Sequence, residues 1–350
     1  MPDDRTRANT PYAGLTPDVA LDALEAAGLA PDGRLQTLNS YENRVYQFGV
    51  DAGSERGPML IAKFYRPARW TDAQILEEHA FVQALVAAEL PVIAPIPLAG
   101  GSTLHTTGEH RIAVYPRCGG RAPELEQPDT LEWMGRFLGR IHAVGALQEF
   151  VERPDLDIGT FGDEPRNYLL DNNFVPADLV DAWTGVVDHA LDNVEKCYDR
   201  AGDFALLRLH GDCHSGNVLW IEDRDGRGNG EAAASLQGAG PHFVDFDDAR
   251  TGPAIQDLWM LLSGDRETMR VQFNHVLRGY EEFAEFDDRE RHLVEALRTL
   301  RLIHYSAWIA RRWDDPAFPA AFPWFNTQRY WQDRILELRE QVALMEEAPL

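Results

Sequence analysis

A chain of 350 residues with 44% hydrophobic side chains and nine tryptophans can bury a sizeable core and exceeds one average domain, so two lobes of unequal size are expected. A formal net charge of −24 excludes nucleic-acid binding as a main activity, because phosphate backbones call for Lys/Arg clusters and none occurs; it fits solubility, or an acidic face that draws in a cationic substrate. Cys118, Cys197 and Cys213 lack C-x-x-C spacing, which excludes a disulfide framework and a zinc site, and neither a signal-peptide core nor a run of membrane-spanning length is found, so a soluble cytoplasmic protein is expected.

In chain order, Thr16-Pro17-Asp18 supplies an N-cap, a proline at the first helical position and an acid on the dipole, opening a helix that Gly28 closes. Leu35 to Val50 and Pro58 to Tyr65 read as strands, with Asn39-Ser40-Tyr41-Glu42-Asn43-Arg44 in the place of a phosphate-covering loop. That loop lacks G-x-G-x-x-G, so side-chain donors on Ser40 and Asn43 would have to serve the phosphates; a polar hairpin turn is the alternative. Lys63 ends the apolar run Leu60-Ile61-Ala62, as the phosphate-holding lysine does on its strand in kinases. A helix from Asp72 to Ala88 carries Ile75, Phe81, Val82 and Leu85 on one face and offers Glu78, or else Glu77, as a carboxylate to orient Lys63. Ile112 to Tyr115 is a further strand, and Pro116 to Gly120 is the expected hinge between a nucleotide lobe, residues 1–116, and a mainly helical catalytic lobe, residues 117–350.

Leu131, Met134, Phe137, Leu138 and Ile141 recur at helical spacing, as do Leu179, Trp183, Val186, Val187 and Leu191. Next come two apolar runs, Leu206 to Leu209 and Val218 to Ile221, framing His210-Gly211-Asp212-Cys213-His214-Ser215-Gly216-Asn217, and then His242-Phe243-Val244 leading into Asp245-Phe246-Asp247-Asp248. The H-x-D-x-x-x-x-N spacing with a later acid is a magnesium phosphoryl-transfer pattern: Asp212 takes the hydroxyl proton, while the Asn217 amide oxygen and Asp245 hold Mg²⁺. Glu222 to Gly240, polar and Gly-rich, reads as a mobile excursion between the two strands. Asp257, at a helix start, either accepts backbone N–H bonds from the catalytic loop or merely sits on the helix dipole. His214 and Cys213 read as positioning or packing residues. Helices are expected near Ala254–Leu262, Arg266–Glu282, Glu290–Arg311 and Gln328–Glu346, with an aromatic loop around Pro316 to Phe325.

The pair H-G-D-x-x-x-x-N and V-D-F-D-D resembles the aminoglycoside phosphotransferase and choline kinase superfamily, which implies an α+β, two-lobed protein-kinase-like fold. Four longer blocks, Asn39 to Phe48, Lys63 to Pro67, Leu206 to His214 and Gly252 to Leu262, together with Arg311 to Phe325, resemble the bacterial stress response kinase A family. That resemblance covers about Leu15 to Glu340. It implies a cytoplasmic, monomeric, ATP- and Mg²⁺-dependent Ser/Thr protein kinase linked to envelope and oxidative stress, with Asp212 as proton acceptor, Asn217 and Asp245 as magnesium ligands and Ser40 as an ATP-contacting residue. The excursion at 222–240 is longer than the short turn expected in that family. Two other functions use or imitate the same motifs: a small-molecule O-phosphotransferase acting on an amino alcohol or aminoglycoside-like acceptor, and a non-catalytic nucleotide-binding scaffold. Presence of all four groups, Lys63, Asp212, Asn217 and Asp245, speaks against the scaffold.

Overall fold

The computed structural model describes residues 11–51, 57–222 and 239–350 and has a five-stranded antiparallel sheet followed by a mainly helical part. Helix α1, Pro17–Ala26, begins as its sequence dictates: the Thr16 hydroxyl accepts the Val19 N–H, Pro17 needs no partner, and Gly28 turns the chain out at φ +83°. The strands are β1 Pro31–Thr37, β2 Arg44–Val50, β3 Met59–Phe64, β4 His105–Thr107 and β5 His110–Pro116, in the order β1-β2-β3-β5-β4. Strand alternation decides where the lysine goes. Leu60, Ala62 and Phe64 pack with Ala20 and Leu24 of α1, so Ile61 and Lys63 are left on the opposite face, where both line a cleft. Helix α2, Asp72–Ala87, opens with a reciprocal capping box between Thr71 and Gln74 and buries Ile75, Phe81, Val82 and Leu85 together with the polar Glu78 and His79.

The helical part contains α3 Pro128–Gly145, α4 Glu164–Asp171, α5 Val180–Ala201, α6 Ile255–Trp259, α7 Arg266–Tyr280, α8 Val294–Ala310, α9 Ala317–Ala321 and α10 Gln328–Glu346. Helices α3 and α7 meet backbone to backbone: a Cβ on Gly135 would lie 2.0 Å from the Val276 carbonyl oxygen, and one on Gly279 would lie 2.0 Å from that of Glu132. Small two-stranded sheets hold the loops that matter for chemistry. Strand β6 Leu207–Leu209 pairs with β9 Arg250–Gly252, and β7 Val218–Ile221 pairs with β8 Gly240–Phe243. Most of the 222–240 excursion lies outside the described residues, although the antiparallel strands on either side of it form as expected.

Departures from the sequence reading have local causes. The run Leu35 to Val50 is two strands, because residues 38–43 leave the ladder: the Ser40 hydroxyl donates to the Asn43 carbonyl and the Asn43 side chain is anchored outside the sheet. Strand β4 is only three residues, too short for alternation to register. Segment Gly159–Asp171, a π turn running into α4, was not anticipated; its proline lies near the helix start, and Phe161 and Leu169 fix it against the core. The helix expected near Ala254–Leu262 spans only Ile255–Trp259, and the one expected from Glu290 starts as a 3₁₀ turn over Asp288–Leu293. The aromatic loop folds into the short α9 around the fully buried Phe318.

Candidate active site

The catalytic loop is held from behind by one carboxylate. Asp257, completely buried, accepts the backbone N–H groups of His210 and Gly211, each at 2.9 Å, and its Oδ2 lies 3.0 Å from His142 Nε2. This is the anchoring role the sequence offered, and a dipole acid alone would not be aimed at two loop amides. Gly211 is required at its position: φ is +86°, and a Cβ would fall 2.1 Å from the Asp248 carbonyl oxygen. His210 Nε2 lies 2.9 Å from the Val244 carbonyl, and the Val244 N–H donates to the Asn217 carbonyl, so the loop carrying Asp212 and the one carrying Asp245 are tied to each other.

Asn217 Nδ2 donates to the Asp212 carbonyl at 2.9 Å, which leaves the amide Oδ1 as its remaining acceptor. Asp212 faces the cleft between a guanidinium and an imidazole. Arg301 Nη1 stands 2.8 Å from Oδ1, off the hydrogen-bonding direction, and His214 Nε2 stands 3.5 Å from Oδ2. Because His214 Nδ1 accepts the Gly216 N–H, its proton belongs on Nε2, toward Asp212. Burial works to raise the Asp212 carboxyl, but the His214 bond and the Arg301 guanidinium outweigh it and hold the group below the usual carboxylate range. Cys213 is buried, and burial pushes its thiol well up, the opposite of what a redox sensor needs.

Asp245 adopts the left-handed conformation, φ 61° and ψ 62°, and turns its half-exposed carboxylate to Lys63 at 2.7 Å. The expected Lys63–Glu78 ion pair is not formed. Lys63 pairs with Asp245 and, at 3.8 Å, with Asp247; Glu78 is bound by Arg153 at 3.3 Å and only adds attraction at longer range. Glu77, the other candidate, accepts the N–H groups of Val151, Glu152 and Arg153 instead. Burial alone would lower the Lys63 ammonium, but Asp245 and Asp247 reverse this and raise it well above its ordinary value, so the lysine is charged. Burial pushes Glu78 up to about 7 despite Arg153 and Lys63.

Asn43 lines the cleft but is partly committed. Its Nδ2 donates one hydrogen to Asp247 at 3.1 Å and its Oδ1 accepts the Arg66 N–H, which leaves the second Nδ2 hydrogen as its remaining donor. Ser40 lines the cleft with its hydroxyl donated to the Asn43 carbonyl, closing the turn. The residues missed from the sequence are the partners of these groups: Asp247, bound by Arg69; Asp248, bound by Arg69 at 2.7 Å and Arg250 at 3.4 Å; and Arg301. Only Asp247 and Asp248 carried a signal, as the last two acids of Asp-Phe-Asp-Asp. Arg69 and Arg301 lie far away in sequence, on segments without a motif.

Lys63, Glu78, Asp212, Asn217, Asp245 and Arg301 border one cleft of about 770 Å³. Its lining includes Leu38, Val45, Ile61, Val82, Ile93 and Leu219, apolar surface that suits a flat base, together with the polar groups. The donor set fits magnesium. An amide oxygen and a half-exposed carboxylate are hard oxygen ligands, and Mg²⁺ ordinarily takes one or two carboxylates and completes its shell with water and substrate phosphates.

A buried lysine, a loop aspartate, an amide and a second aspartate around one cleft are the parts of a kinase-type phosphotransferase, and the phosphotransferase enzyme family (APH) matches residues 34–293. Closer relatives are stress response kinase A of Escherichia coli O157:H7, 45% identical over 97% of this chain and 96% of that protein, and the serine/threonine protein kinase RdoA of Salmonella typhimurium (strain LT2), 44% identical with the same coverage. The chain belongs to the stress response kinase A family within the phosphotransferase enzymes. The fold is that of amicoumacin kinase hAmiN, solved with AMP-PNP and Ca²⁺ (TM-score 0.70, 17% identity, 99% of this chain and 96% of that one), and of the microcompartment-associated aminopropanol kinase (TM-score 0.68, 18% identity, 94% and 96%).

Proposed function

We propose that this phosphotransferase is an ATP- and Mg²⁺-dependent Ser/Thr protein kinase of the stress response, with residues 1–116 as nucleotide lobe and 117–350 as catalytic lobe. The observation that carries the reading is the convergence of Lys63, Asp212, Asn217 and Asp245 on one cleft that also has apolar lining residues: Lys63 pairs with Asp245, Asn217 bonds to Asp212, and the Val244 N–H ties the two loops. The names of the relatives support a protein acceptor and a role in stress. Action in the cytosol, where ATP is abundant, is part of the proposal; among the described residues no helix is long and apolar enough to cross a membrane.

In this reading the apolar lining takes the base, and Lys63 holds the phosphates from a position fixed by Asp245 and Asp247. Asn217 Oδ1 and the Asp245 carboxylate would hold Mg²⁺, which when bound neutralises charge on the phosphate oxygens. Asp212 accepts the proton of the Ser/Thr hydroxyl as its oxygen bonds to the γ-phosphorus; the bond from that phosphorus to the β–γ bridging oxygen breaks, ADP leaves, and the proton passes from Asp212 to solvent. Asp257 keeps Asp212 in place through the loop amides. The test is transfer from γ-labelled ATP to a generic protein acceptor and to a panel of amino alcohols and aminoglycosides, with Asp212→Ala as control. Label on protein hydroxyls, absent in the control, is expected; label on the amino alcohols alone would replace the reading with that of a small-molecule kinase.

A further inference from the structure

Helix α8 presents Arg301, His304, Tyr305 and Trp308 to the cleft, at the i, i+3, i+4 and i+7 spacing of one helical face. Tyr41 and Phe322, 5.1 Å apart, also line the cleft. Because Arg301 stands 2.8 Å from Asp212, this helical face is the wall an acceptor meets at the base.

Charge on this wall is unevenly committed. Six carboxylates line the cleft, and every one is already paired: Glu42 with Arg312 at 2.7 Å and the Trp308 indole N–H at 2.8 Å, Glu78 with Arg153, Asp245 with Lys63, Asp247 with Arg69, Asp248 with Arg69 and Arg250, and Asp212 with Arg301. Among the described residues a cationic acceptor would find no uncommitted acid. Among the lining cations, Lys63, Arg69 and Arg250 have side chains only 9%, 11% and 7% exposed, whereas Arg301 is 39% exposed and has Asp212 as its one ion-pair partner among the described residues. That contact is close but off the hydrogen-bonding direction, a pairing of charges that a better-aligned anion can displace. The guanidinium covers Oδ1 of Asp212, so moving it opens that oxygen to an acceptor hydroxyl.

Resting on the protein-kinase reading, we propose that Arg301 recognises the acceptor: it takes an acidic group, a carboxylate or a phosphate, carried by the polypeptide beside the acceptor hydroxyl, and leaves Asp212 as it does so. Arg301 is then a specificity-determining residue, and an acidic neighbour both docks the segment and uncovers the base. The net charge of −24 opposes an acidic partner at long range, but screening confines that repulsion to about 8 Å at physiological ionic strength, so the local guanidinium decides. A second hollow of about 480 Å³, lined by Trp324 and Tyr330 among others, shares Tyr305 with the cleft and offers an extended chain room beyond it.

The test uses the full chain and one Ser peptide made with Glu, Gln, Lys or phosphoserine flanking the hydroxyl. Wild type should favour the Glu peptide over the Lys peptide by at least about tenfold in kcat/KM, the size of a single contact worth roughly 1.4 kcal/mol, and the phosphoserine peptide shows which anion is preferred. Arg301→Gln should bring the ratio near one, mainly by raising KM for the acidic peptides, and Arg301→Lys should keep part of it. Equal use of the peptides by wild type, a preference for Lys, or a kcat loss in Arg301→Gln that is the same on all of them would overturn the proposal, the last by reducing Arg301 to a support for Asp212. The protein-kinase reading fails separately, if no peptide is labelled but small hydroxyl compounds are. In that event glycerate against ethanolamine is the same charge test, and a preference for ethanolamine overturns the role of Arg301. Fluorescence anisotropy of the Glu and Lys peptides on the Mg·ADP-loaded protein reads recognition without turnover; equal affinities would likewise overturn it.

Discussion

Replacing Asp257 should damage the protein far more than replacing an acid on a helix dipole. The carboxylate accepts two backbone N–H groups from the catalytic loop at 2.9 Å and faces His142 Nε2 at 3.0 Å, in a site without solvent. Hydrogen bonds to a charged group contribute about 1.5–3 kcal/mol each, and removing one partner from a buried charged network typically costs about 3–5 kcal/mol. Asp257→Ala should therefore lose about 3–5 kcal/mol, against about 0.3–1 kcal/mol for a dipole interaction alone. Asp257→Asn should recover little, because its NH₂ is then set against a second N–H donor. With a urea dependence of about 1–3 kcal/mol per molar, the unfolding midpoint falls by about 1 M or more. Near the midpoint shift, phosphoryl transfer by the folded fraction should show reduced kcat with KM for ATP little changed, since the loop carrying Asp212 loses its anchor and the nucleotide slot does not. A loss below about 1 kcal/mol in both variants would refute the anchoring argument.

Three further outcomes follow from other contacts. Lys63→Ala combined with Asp247→Asn should be non-additive in stability by about 0.5–3 kcal/mol, and more so than Lys63→Ala with Glu78→Gln; stronger coupling to Glu78 would restore the pairing that the structure replaces. Gly135→Ala should destabilise by about 1–3 kcal/mol in thermal or urea unfolding, because its Cβ would lie 2.0 Å from the Val276 carbonyl oxygen, whereas a gain near 1 kcal/mol would mean that helix propensity outweighs the clash. Glu290 accepts the Ile255 N–H, and burial pushes its carboxyl from 4.5 up to about 7, so its contribution is present below about 4.5 and is lost as pH rises through 7. Glu290→Gln should thus gain up to about 3 kcal/mol relative to wild type between pH 5 and pH 8, and a difference independent of pH would contradict the burial argument.

What the sequence disclosed and what it withheld divide along range. Lys63 is legible because strand alternation puts it opposite Leu60, Ala62 and Phe64, and Asp212 and Asn217 because their spacing is fixed within one loop. Asp257 could be read from its place at a helix start, and its hydrogen bonds are those expected. Glu78 was misassigned because helical spacing could say which face it occupies but not that Arg153, 75 positions on, would reach it first. The partners of Asn43 were hidden for the same reason: a turn asparagine looks free until Asp247 and the Arg66 N–H, brought by other segments, engage its amide. Arg301 gave no local sign at all, since one arginine on an amphipathic helix is ordinarily solvated, and its meaning comes from the 2.8 Å approach to a residue 89 positions earlier.

The most direct test of the account is a single-turnover measurement of label transfer from Mg·ATP to protein acceptor by Asp212→Asn, paired with nucleotide affinity by calorimetry. The account predicts a loss of transfer of at least about 10²-fold with affinity for Mg·ATP within a few-fold of wild type, because the lost group is a base and not a nucleotide contact. Transfer at the wild-type rate by the Asn variant would contradict it.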